Sequence, residues 1–138
     1  MKILFFIIAL SIGTKIIGQT PDLKVIEHLG NEKADQLLAS SPDKYEHLLN
    51  YINSSWYVQD VSFKDLANVT DFRTVEFIGN GVNRFDDGKS FYIENFNPLL
   101  YNIPIQNKYP TTYKLGDTGK IITFYSREYF IKKLNDEE

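Results

Sequence analysis

The spacing of apolar residues changes once along this chain. Between residues 22 and 54 they recur every three to four positions, and from Trp56 to about residue 125 mostly every second position. The first period predicts helices. "PDLKVIEHLG" (21–30) has Pro21 in its first turn, Asp22 at the positive end of the helix dipole and Gly30 as a stop. "NEKADQLLAS" (31–40) restarts with Asn31 as a cap and sets Ala34, Leu37 and Leu38 on one side. In "SPDKYEHLLNYINSS" (41–55), Ser41 is the cap and Pro42 the first helical residue. Tyr45, Leu48, Leu49 and Ile52 then form a stripe of the kind that faces a core.

The second period predicts strands over "SWYVQDVS" (55–62), "RTVEFIG" (73–79) and "KSFYIENF" (89–96), with turn formers in "NGVNRFDDG" between the last two. "LLYNIPIQ" (99–106) is an edge or an irregular segment, because Pro104 cannot donate to a ladder. "TTYKLG" and "KIITFYS" form a hairpin. A last helix begins at Ser126, with Glu128 in its first turn, Lys132 and Lys133 in its last, and Phe130 and Leu134 facing the sheet. The expected fold class is α+β: about three N-terminal helices, a mainly antiparallel β-sheet and a short C-terminal helix.

The opening segment stands outside that pattern. Lys2, the apolar run Ile3–Ile12 and the small or polar residues Gly13 to Gln19 have the layout of a secretory signal peptide, expected over residues 1–19. The rest, 20–138, is expected to be a single domain with no membrane span after cleavage. Losing Lys2 and Lys15 leaves 13 basic and 18 acidic residues, a net charge of −5. Such a surface, with no basic run longer than Lys132-Lys133, excludes nucleic acid as a partner. No cysteine is present, so neither a lipoprotein anchor nor a cysteine-based zinc site exists. A cysteine-free exported domain suits a bacterial envelope, in the periplasm, outside the cell or on its surface, without a lipid anchor.

Four stretches invite chemical readings. Asp117-Thr118-Gly119 resembles the tripeptide of retroviral-type aspartic proteases. In those enzymes it follows a hydrophobic strand and most of the fold trails it. Here Gly116 precedes it and 19 residues follow Gly119, so the expected role is a turn with Gly119 in the left-handed position of a bulge. The phosphate-loop pattern fails, with Lys114 where Gly is required and Ile121 where Ser or Thr is required. A calcium loop over 83–94 would use Asp86, Asp87 and Glu94, but has Asn83 and Phe85 at two ligand positions. Glu27-His28 and Glu46-His47 are expected to be surface pairs. No catalytic, metal or cofactor residue is therefore assigned, although a carboxylate pair acting in hydrolysis leaves no trace in spacing.

Aromatic residues are the compositional excess: of 20, all but Phe5 and Phe6 lie between Tyr45 and Phe130. In Trp56-Tyr57, Phe91-Tyr92 and Phe124-Tyr125, successive strand side chains point to opposite faces, so one of each pair belongs to the core. Trp56, Tyr57, Tyr92 and Tyr125 are the candidate exposed binding residues. "IIGQ", "LGNEKADQLL" and "YKLGDTGKIITFYSREYFIKKL" resemble small exported proteins of Bacteroidetes. That resemblance implies an envelope setting and no catalytic residues. The expected function is a non-enzymatic envelope protein, an adaptor or accessory subunit that binds another protein through its aromatic sheet face or acidic helical face. The alternatives are a glycan-binding module and a small hydrolase.

Overall fold

The computed structural model describes residues 19–85 and 93–136. The first 18 residues of the expected signal segment, the calcium-loop aspartates Asp86 and Asp87, and Tyr92 lie outside them. The fold is α+β, and the chain divides between Leu49 and Asn50 into two compact units.

The first unit is helical. Helix α1 (Leu23–Leu29) is capped by Asp22, whose carboxylate accepts from Lys24 N at 2.8 Å. Helix α2 (Asn31–Ser40) follows without a linker. Asn31 is therefore the first helical residue and not the cap. Gly30 ends one helix and begins the next at φ 83°, ψ 162°, a conformation open only to glycine, with its N–H donating to Ile26 O. Helix α3 (Pro42–Ser54) crosses the division. In the first unit its Tyr45 is buried, and the phenolic oxygen accepts from Asp22 N at 2.6 Å. Val25 and Ala34 complete the buried set.

The second unit contains the sheet. Strands β1 (Trp56–Asp60), β2 (Thr111–Lys114) and β3 (Lys120–Phe124) are all antiparallel, in the order β1-β3-β2. The register pairs Trp56 with Phe124 and Val58 with Ile122 on one side of β3. On the other side, Thr111 pairs with Phe124 and Tyr113 with Ile122. Period-two alternation puts Trp56, Tyr113, Ile122 and Phe124 on a single face, and all four are buried. Phe72 is the hub of that core, with Phe85, Phe96, Tyr101, Tyr113 and Phe124 at ring-centroid distances of 5.0–6.1 Å. Helix α4 (Arg127–Asp136) follows β3, and Ser126 Oγ accepts from Tyr129 N at its start. Phe130 is buried and Leu134 half-buried, as the four-residue spacing requires.

One strand expectation fails, and a second fails over its described residues, 93–96. Residues 73–79 form no strand. They begin in a one-turn 3-10 helix, Phe72–Thr74, capped by Asp71, and keep only an isolated bridge between Phe77 and Tyr101. In the other segment, Ile93–Asn95 is a second 3-10 turn. Two of the turns, Phe72–Thr74 and Pro98–Leu100, have a local cause. The Asp71 and Asn97 side chains accept from the N–H two residues ahead, and Pro98 fixes the first turn of a further one, Pro98–Leu100. Local side-chain hydrogen bonds thus outcompete the ladder that the alternation suggested.

Candidate functional site

The outer face of the sheet carries a run of tyrosines. Tyr57 lies on β1 and Tyr125 just after β3, on the same side by register, because Tyr57 faces Thr123 and Tyr125 N–H donates to Ser55 O at 2.9 Å. Tyr129 comes from the first turn of α4. The ring centroids of Tyr57 and Tyr125 are 5.3 Å apart, and those of Tyr125 and Tyr129 are 4.8 Å apart, both pairs tilted. Tyr57 is 38% exposed and Tyr129 52% exposed. Lys133, one turn further along α4, holds its ammonium 5.5 Å from the Tyr125 centroid. The Tyr125 hydroxyl is pushed above the ordinary tyrosine range, first by partial burial and then by the neighbouring Tyr129 and Tyr57 hydroxyls. Beside these rings, Thr112 and Thr123 exchange a cross-strand hydrogen bond at 3.1 Å.

Of the candidate residues, the structure brings Tyr57 and Tyr125 together on this face. Trp56 is a correction: it is buried in the core. Its indole N–H donates to Ile52 O at 2.7 Å, which satisfies the one polar atom that would otherwise hold it at the surface. Tyr92 lies outside the described residues. Sequence reasoning missed Tyr129. Its sign was the spacing from Tyr125 to Tyr129 to Lys133, four residues each, which a strand running into a helix brings to one side.

Against this patch lies a pocket of about 530 Å³. Its lining is apolar at Ile103, Ile105 and Phe130 and carries polar groups from Tyr51, Ser55, Tyr125 and Arg127. Tyr51 packs edge-on against Phe130 at 5.5 Å. Burial raises the Tyr51 hydroxyl pKa, and the Arg127 charge pulls it partly back. Ser55 Oγ is buried with no hydrogen-bond partner.

The remaining chemical readings are placed by geometry. Asp117 sits exposed at the tip of the β2–β3 hairpin. Thr118 builds that turn, donating from Oγ1 to Leu115 O at 2.7 Å and accepting from Lys120 N, while Gly119 adopts φ 73°. The tripeptide is a turn. In the calcium-loop stretch, Asn83 Oδ1 already accepts from Phe85 N and from Tyr101 Oη, and Phe85 is core. Among the described residues, no three His, Asp or Glu side chains gather to hold a metal ion, and no helix is long and apolar enough to cross a membrane. Comparison of the chain with family models, with curated proteins and with solved structures finds no match.

Proposed function

We propose that this chain is an exported, non-enzymatic envelope protein, an adaptor or accessory subunit that binds another protein through the Tyr57–Tyr125–Tyr129 face. The observation that carries the reading is the contiguity of these three rings on the outer side of a sheet whose other side is core. Tyrosine offers a large contact area for few rotatable bonds, and its hydroxyl can pair with a partner's backbone, which offsets the cost of taking it out of water. Export is supported by the Lys2-led apolar opening, and the bacterial envelope by the absence of cysteine and the resemblance to Bacteroidetes proteins.

The glycan alternative draws on the same rings as a stacking platform. Against it, Lys133 and two tilted neighbours crowd Tyr125, whereas a sugar needs an open, flat ring face. The test is affinity purification from native envelope of the tagged protein beside its Tyr57→Ala and Tyr129→Ala variants. A stoichiometric protein partner lost from both variants supports the adaptor reading. Full retention by both variants, or retention on a glycan array lost with Tyr57→Ala, overturns it.

A further inference from the structure

We propose that the pocket beside the tyrosine face binds a carboxylate attached to an apolar body, the carboxylate held at Arg127 and the apolar part against Ile103, Ile105 and Phe130. The volume, about 530 Å³, lies within the range of small-molecule sites and far exceeds a hydration cavity. Its lining combines the apolar groups of Ile103, Ile105 and Phe130 with the hydroxyls of Tyr51, Ser55 and Tyr125 and the Arg127 guanidinium. No carboxylate lines it, and Arg127 has no ion-pair partner among the described residues, so the guanidinium fork is free for an incoming acid. Tyr51 lines the same pocket as Arg127, whose charge partly offsets the rise that burial gives the Tyr51 hydroxyl, so a tyrosine donor stands beside the guanidinium.

The charge count favours a carboxylate over a phosphate. One guanidinium matches one negative charge, and a phosphate dianion wants further donors. The start of α4 does not supply them. Arg127 N donates to Gln106 O, Glu128 N to Asn107 O, Tyr129 N to Ser126 Oγ and Phe130 N to Ser126 O, so the first-turn amides are all spent. Recognition therefore rests on the Arg127 side chain and not on the helix terminus.

Such a carboxylate could be the C-terminus of a peptide or a free organic acid, and three probes separate them. N-acetylphenylalanine presents a peptide-type carboxylate, 3-phenylpropionate a free one, and N-acetylphenylalaninamide the same body without the charge. Amide-resolved NMR titration of the protein is expected to shift residues 51–55, 103–106 and 125–130 with the two acids. The neutral amide should bind at least fivefold more weakly, and Arg127→Gln should weaken acid binding at least fivefold. A preference for N-acetylphenylalanine assigns a peptide end; a preference for 3-phenylpropionate assigns a free acid. Equal binding of amide and acid, indifference to Arg127→Gln, or no shifts at these residues overturns the proposal. Arg127 is exposed and makes no side-chain hydrogen bond or ion pair among the described residues, so Arg127→Gln is expected to leave the fold intact. Asp117→Asn, at the exposed hairpin tip, should leave acid binding intact, and the titration needs no protein partner, so failure here is distinct from failure of the adaptor reading.

Discussion

At residues 55 and 56 two buried polar groups sit side by side, and one of them lacks a partner. The Trp56 indole N–H donates to Ile52 O in the last turn of α3, where helix carbonyls otherwise go unsatisfied. Trp56→Phe removes that bond and part of a buried ring, and is expected to cost about 2 kcal/mol in urea denaturation. Ser55→Ala should act in the opposite direction. An orphaned buried hydroxyl costs about 1–3 kcal/mol, so deleting it is expected to raise stability by about 1 kcal/mol, readable as a higher denaturation midpoint. A loss of stability would mean that Oγ has a partner. Alternation in the sequence says that Trp56 and Tyr57 take opposite sides. Which side is core depends on the Trp56–Phe124 register, and that pairing of residues 68 apart leaves no local trace.

Among the elements, those with a regular period or a local cap are the legible ones. α1, α2, α3, α4 and the β2–β3 hairpin stand where spacing and capping put them, because each is fixed by residues within a few positions of one another. Residues 61–105 defeat the same reasoning. Among the described residues of this stretch, the helical turns are single 3-10 turns too short to have a period, two of them set by Asp71, Asn97 and Pro98, and Phe72, Phe85, Phe96, Leu100 and Tyr101 serve the core without lying on strands. The pocket was illegible for a related reason: Tyr51, Ile103 and Arg127 come from three separate segments. The hairpin tip allows a clean check of its role. Asp117→Asn is expected to change stability by less than about 0.5 kcal/mol, as a surface turn residue should. Thr118→Val removes two turn hydrogen bonds and should cost about 1 kcal/mol. The reverse ranking would return Asp117 to consideration as a functional carboxylate.

On the scale of the molecule, the half-buried Tyr51 and the buried Tyr113 link the stability of the second unit to alkaline pH. Burial raises the Tyr51 and Tyr113 hydroxyls above the ordinary value of 10.0, so the folded state holds their protons more tightly than the unfolded state does. A raised pKa of this kind contributes stability that is complete below about pH 10 and is lost as pH climbs through the folded-state values. Urea midpoints measured from pH 8 to 11.5 should therefore fall above about pH 10, and the fall should be shallower in Tyr113→Phe. Unchanged steepness in that variant would assign the alkaline loss to other groups.

The order of the strands has a consequence in time. β3 is the centre of the sheet and its last strand to be made, about 60 residues behind β1. At roughly 5–20 residues per second, β1 emerges some 3–12 s before the strand it must pair with. Through that interval the Trp56–Asp60 edge and the Phe72 aromatics have no sheet to close on, while the residues of α1 and α2 are already complete. A ribosome therefore delivers a chain whose helical residues are made while its second half still lacks the central strand. Whatever guards that half from aggregation has to act before Phe124 appears.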